Sequence, residues 1–365
     1  MVGVAPDPTA HPDRASPGFT PEPAWVPPAP SLAEVLAGAA SGAGMAIARP
    51  LLGEVLVPSL GRRPGGPARS SGGGGPAGPP PMPASLATAI ADDAAAADPG
   101  WFGPGSTAWK VQADASMFVA GVGAFALQLL HPLALAGVTD HGRFAEDFVG
   151  RIVATGAFVQ GVTFGGQAEA STRIRGVEQV HTRVLGSAPD GRPYSASDPD
   201  LLRWVHLGEY LAIAAAYRRF GAHPLSVAEL DRYVGEVAVV AEALGVPDPP
   251  RSWPELDAAV QRYRTGLAVG EQTVTALHFL ARPPGLAPAA RPAWRLLWAG
   301  GLACVPPWAL RLLRVRRPSP AELVACRALV RGLDTLLGEP PPLAAARKRL
   351  SPASGTSAPG GDAIQ

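Results

Sequence analysis

The chain has little cysteine, almost no lysine and few charges. Only Cys304 and Cys326 are present among 365 residues. Two thiols outside any CxxC spacing exclude a disulfide framework and a cysteine-built zinc site. One bridge between them is an option, but two unrelated reduced thiols fit a reducing, intracellular setting better. Charged residues make up 17 % of the chain, against roughly 25 % in an ordinary soluble domain. The net charge is +1, so no field points to nucleic acid as a partner. Lysine occurs twice, at Lys110 and Lys348, within 31 basic residues. Arginine is therefore a habit of composition, expected of a GC-rich bacterial genome, and weak evidence for phosphate binding. No basic start followed by an apolar run opens the chain, so a secretory leader is not expected. The expected location is cytoplasmic, with attachment to a membrane surface left open. Gly-x-Ser-x-Gly is absent, which removes the simplest hydrolase. GVTFGGQAEA (161–170) is not a GxGxxG and follows no strand, so a phosphate cradle is not expected either.

Glycine (43) and proline (42), by contrast, are abundant. They are unevenly spread, which divides the chain. Nine prolines fall within residues 1–30, read as a disordered arm. Residues 31–60 read as one helix, with Ser31 as N-cap, Glu34 as its capping-box partner and a break near Pro50. Between 61 and 84, Gly and Pro supply 15 of 24 residues, a linker with nothing to bury. From 105 to 245 only five prolines occur, and residues 85–350 read as a single large helical domain. The tail 351–365 is again small and polar.

The predicted fold is all-α. Helices are expected over 107–131 (ending at Pro132), 147–162, 169–185, 199–220 and 226–244. Asp198 before Pro199, and Ser226 with Glu229, give two clean starts. The apolar run 115–138 is long enough to span a bilayer. With Pro132 and three glycines inside it, and no basic asymmetry at its flanks, it reads instead as buried core helix.

Three histidines sit on apolar helical stripes. His181 continues the spacing Ile174, Val177, Val184, and so points at the core. His206 shares a face with Leu202, Glu209, Tyr210 and Ile213. His131 follows Leu127 and Leu130. Each reads either as a core histidine satisfied by one partner or as a metal or haem ligand, since a neutral imidazole in an apolar pocket is a common axial donor. Glu178-x-x-His181 is a di-iron half-motif, but a second Glu-x-x-His is missing. Arg151 and Thr155, four apart, stack on one helix face. They serve either a bound ligand or, for Arg151, an edge ion pair with Glu146 or Asp147.

These residues converge on a resemblance. WKVQADASMFVAGVGAFALQLLHPLALAGVTDH (109–141), GRIVAT (150–155), VEQVHTRVLG and DGRPYSASDPDLLRWVH (within 177–206) resemble the MpaB-type oxygenase family, as does 291–313. The likeness covers about 105–349. That family includes rubber oxygenase and a fungal oxygenase of mycophenolic acid biosynthesis. The resemblance implies an all-helical haem b protein with a globin-like core, which cleaves isoprenoid double bonds with dioxygen. It implies His181 as the axial, metal-bound residue, and Arg151 and Thr155 as catalytic residues on the opposite side of the haem. His206 joins them as a cofactor-binding residue. Residues 115–130 and 158–162 are expected to wall the pocket. The chain departs from rubber oxygenase at Ala154, where that enzyme has a lysine before the matching threonine. It also has no glutamate between Gln112 and Glu146 to serve as a base. The function expected is a haem-dependent oxygenase acting on an apolar isoprenoid or lipid-like small molecule. The alternative is a non-catalytic haem- or lipid-binding helical protein.

Overall fold

The structure is a computed structural model and describes residues 98–140, 148–286 and 288–351, without the side chains of 148–153 and 289. The expected arm, the helix over 31–60, the linker at 61–84 and nearly all of the tail lie outside the described residues. Within them the chain is helical as predicted. Thirteen α-helices are α1 Thr107–Gln112, α2 Met117–Gln128, α3 Pro132–Asp140, α4 Phe148–Phe164, α5 Gln167–His181, α6 Pro199–Phe220, α7 Val227–Ala243, α8 Trp253–Tyr263, α9 Glu271–Ala281, α10 Arg291–Cys304, α11 Pro307–Leu312, α12 Pro320–Leu337 and α13 Pro341–Leu350. One small hairpin, β1 Leu185–Ser187 with β2 Pro193–Ser195, interrupts them in antiparallel register.

The 107–131 stretch is not one helix. Asp114 ends α1, because its Oδ1 accepts the Ser116 amide at 2.7 Å and its Oδ2 accepts the Ala222 amide at 2.8 Å. A carboxylate that captures nearby amides competes with the helix ladder. The second break lies at 129–131. Pro132 begins a helix instead of ending one, since a missing N–H costs nothing at a first helical position. α2 and α3 meet there at 108°. No single helix among the described residues is long and apolar enough to cross a membrane.

α6 is the axis of the fold. Asp198 accepts the Asp200 amide at its start, Pro199 occupies the first turn, and Arg218 and Arg219 lie in its last turn, where cations favour the helix dipole. Trp204, Leu207, Ala212 and Phe220 are buried along it. α2 and α10 pack against it and against each other at short range. A Cβ built on Gly123 would stand 2.9 Å from the Gly301 carbonyl oxygen, and one on Gly301 would stand 2.5 Å from Val122. The small residues of AGVGA and AGGLA are what lets two backbones come this close. Residues 115–130 therefore pack into the helical core more than they wall a pocket. α7 begins with the Ser226–Glu229 capping box. Cys304 and Cys326 are buried thiols.

Candidate functional site

α4 and α5 form an antiparallel helical hairpin joined at Gly165–Gly166. Arg173 fills the space a side chain at Gly161 would need, donates to the Ala157 carbonyl at 3.4 Å and pairs with Glu169 at 2.7 Å. The tip is tied down by Trp109, whose Nε1 donates to the Thr163 carbonyl at 2.9 Å. Arg349 adds a bond from its guanidinium to the Phe164 carbonyl at 2.9 Å. Arg151 lies thirteen residues before the end of α4, and His181 fourteen after the start of α5. At about 1.5 Å per residue, both stand about 20 Å from the tip. The hairpin thus brings Arg151, Thr155 and His181 to its open end, although they are far apart in sequence.

The tip half of this hairpin is sealed and the open half is not. Val162, Ala170 and Ile174 are buried against Val240 of α7. Beyond them Val177 and His181 are half-buried, while Ala154 and Thr155 are exposed. Val180 is 41 % exposed and Leu185 58 %. The stripe Ile174, Val177, His181 therefore leaves the core instead of staying in it. The helix face is the predicted one, but α7 covers only its first half. The last turn of α5 presents an imidazole beside uncovered apolar side chains, and the place of a Cβ at Gly156 is open.

This arrangement fits one kind of prosthetic group better than another. Among the described residues no group of three or more His, Cys, Asp or Glu side chains could hold a metal ion. That removes the di-iron alternative there. A haem, if bound, would be held largely by its own macrocycle and would need from the protein a histidine and an apolar bed. His181, flanked by Val180, Val184 and Leu185, offers both.

A second assembly lies inside the helical body, and only part of it was legible in the sequence. His206 and Tyr210 of α6 stack at 4.6 Å between ring centroids, and Tyr210 meets Tyr233 of α7 edge-on at 6.1 Å. Gln112 of α1 accepts a short hydrogen bond from the Thr163 hydroxyl, and its carbonyl accepts from Gln160 at 2.9 Å. His206 Nε2 and Gln160 Oε1 are buried without a hydrogen-bond partner. Burial pulls His206 down to about 3, so it is neutral and a lone-pair donor. Burial pushes the Glu209 carboxyl up to about 7. Burial, with the Glu209 charge, raises both phenols well above their usual value, against a side-chain hydrogen bond with Gln112 that pulls each back. His131 sits elsewhere, at the α2–α3 elbow near Trp204 and Tyr263, with its Nδ1 accepting the Ala134 amide at 3.4 Å.

A family model described as ER-bound oxygenase mpaB/B′/rubber oxygenase, catalytic domain, matches residues 109–335. The chain belongs to this family. The match runs from α1 nearly to the end of α12 and contains Arg151, Thr155, His181 and His206. In comparisons with curated proteins and with solved structures, nothing matches. Within this family of oxygenase domains, Gln112, Gln160, Thr163 and Tyr233 are what sequence reading missed. They come from three helices with no common spacing. Glu209 was visible only as a neighbour of His206 on one stripe.

Proposed function

We propose that this member of the mpaB/rubber-oxygenase family is a haem-dependent oxygenase. Its substrate in this reading is an apolar, isoprenoid or lipid-like small molecule, and its co-substrate is dioxygen. What supports the reading is the family match together with the hairpin that carries Arg151, Thr155 and His181 to one open end. Haem b, when bound, supplies the redox-active iron at which dioxygen is activated. His181 is the residue we assign to hold it, in a globin-like core. Val180, Val184 and Leu185 give the group an apolar surface beside the imidazole. Arg151 and Thr155, one turn apart on α4, are assigned as the donors for oxygen that gains negative charge, where preorganised dipoles act most strongly. Ala154 leaves no lysine beside Thr155, so that position adds neither a cation nor a ligand.

The test is an absorption spectrum of the purified full chain after loading with haemin. A Soret band is expected, and it is lost in His181→Ala. Full occupancy and an unchanged spectrum in His181→Ala would overturn the axial assignment. Reduced protein is then given dioxygen and a panel of isoprenoid alkenes. A loaded protein that oxidises none of them leaves the non-catalytic haem- or lipid-binding reading in its place.

A further inference from the structure

Charge is unevenly placed along this chain. Between Gln272 and Ala321 there are seven arginines and no aspartate or glutamate, in a chain whose net charge is only +1. Arginine is a habit of composition throughout; what sets this stretch apart is the absence of acid. Its fold gathers the arginines. Arg291, Arg295 and Trp298 follow at four and three residues along α10 and share one face, with both arginines exposed and the indole half-buried. Trp298 lines a shallow pocket together with Ala299, Leu302, Val315, Arg316 and Pro318, so the segment after α11 runs back against the middle of α10. Arg311, Arg314 and Arg317, all exposed, lie within five residues of Arg316. Elsewhere on the surface Arg173, Arg192, Arg251 and Arg347 each pair with a carboxylate. Of the six arginines here only Arg316 does so among the described residues, with Glu322 at 2.7 Å.

The backbone adds a separate sign. α11 ends in a Schellman turn, in which the Val315 amide donates to the Leu310 carbonyl and the Arg314 amide to the Arg311 carbonyl, each at 3.1 Å. The residue at the corner of such a turn is usually glycine, because its φ is positive. Here it is Arg314, at φ 55°. The chain therefore carries a strained side chain in order to set one more cation on this face, and strain kept in place points to use.

We propose that this face attaches the chain to the surface of an anionic membrane. Exposed cations without carboxylate partners attract anionic headgroups, and their contributions accumulate over several charges. The planar guanidinium fork matches a phosphate better than an ammonium does. Trp298, Leu312 and Val315, all half-buried among the arginines, offer apolar contact at headgroup depth, where indole rings are favoured. A single-stranded nucleic acid would ask instead for rings on which bases can stack. Trp298 and Trp308 are both half-buried, and the Arg264 guanidinium already lies over the Trp308 ring, 5.0 Å from its centroid. The inference goes beyond the oxygenase reading and does not rest on it.

Co-sedimentation of the full chain with vesicles, with no haem added, reads the attachment. The vesicles are phosphatidylcholine alone, or phosphatidylcholine with about one-third phosphatidylglycerol. Binding to the anionic vesicles is expected to be at least about tenfold tighter, and to weaken as salt is raised from about 0.05 to 0.5 M. Exchanging Arg295→Gln, Arg314→Gln and Arg317→Gln together is expected to weaken it about a hundredfold, at roughly fivefold per charge. A matched triple, Arg175→Gln, Arg232→Gln and Lys348→Gln, removes the same charge from exposed sites elsewhere and is expected to bind within about twofold of the parent. Arg314→Gly alone relieves the turn. It is expected to melt no lower than the parent and to bind about fivefold weaker. Equal binding of neutral and anionic vesicles overturns the proposal. So does undiminished binding in the first triple, or an equal loss in both triples. Heparin at the same salt is the third probe: a chain that binds it through these arginines and binds no vesicle has a polyanion site instead, which also overturns the proposal. A chain that binds anionic vesicles but takes up no haem refutes the oxygenase reading and leaves this surface standing.

Discussion

Two glycines on one helix, two residues apart, are expected to respond oppositely to the same substitution. Gly121 and Gly123 both lie inside α2. A Cβ at Gly121 meets nothing within 4 Å. Gly121→Ala therefore gains helix propensity, about 0.5–1 kcal/mol, with no steric debt. A Cβ at Gly123 stands 2.9 Å from the Gly301 carbonyl oxygen, 3.3 Å from Cys304 Cβ and 3.5 Å from Ala212 Cβ. The nearest of these is backbone of α10, which cannot rotate away. The same propensity gain is then set against an overpacking cost of about 1–3 kcal/mol. The net expected for Gly123→Ala is a loss of about 1–2 kcal/mol. The difference between the two variants should be about 2 kcal/mol, or roughly 4–8 °C in thermal midpoint for a domain of this size. Thermal unfolding of both variants at matched concentration and scan rate reads it. If Gly123→Ala melts as high as Gly121→Ala, the close approach of α2 and α10 is not what holds this core together.

Three further outcomes follow from named contacts. Asp114→Ala leaves the Ser116 and Ala222 amides without their acceptors, and denaturant unfolding should show a loss of about 1–3 kcal/mol, only partly restored in Asp114→Asn, whose single amide oxygen can accept from one of the two. His206, held near 3 by burial, is protonated far more readily in the unfolded chain. Its contribution to stability is present above pH 6.5 and is lost as pH falls from there toward 3, by up to about 1.4 kcal/mol per pH unit. His206→Gln should lose less stability than the parent over that window, and equal slopes in both would contradict the burial. Thr155→Val keeps the shape of an exposed side chain and removes its hydroxyl. If Thr155 acts on the reacting oxygen, the same variant keeps its Soret band and loses turnover about tenfold or more.

The parts of the fold that were legible in the sequence are those written in local chemistry. Asp198 with Pro199 places α6 at its observed start, and Ser226 with Glu229 places α7, because caps act on amides two or three residues away. The breaks at 113–116 and 129–131 were not legible. Within 117–138 nearly every residue is apolar, so hydrophobic phase carries little information, and the decisive agents are one carboxylate and one proline. For His181 the wheel gave the right face and the wrong depth. Periodicity says which residues share a face. Only tertiary packing says how far along the helix that face is covered, and α7 stops covering it after Ile174.

The interior assembly was illegible for a different reason. Its members come from α1, α4, α6 and α7, and none carries a spacing that marks it out from ordinary helix. What they have in common is that burial keeps them neutral. His206 is held uncharged, Glu209 is shifted toward its protonated form, and Tyr210 and Tyr233 do not ionise in the working range. A buried ion pair would demand a partner in exact place at all times, since a lone charge costs far more than a lone dipole. Neutral polar atoms left unmet cost less each, so an apolar helical body of low charge can hold several of them without unfolding.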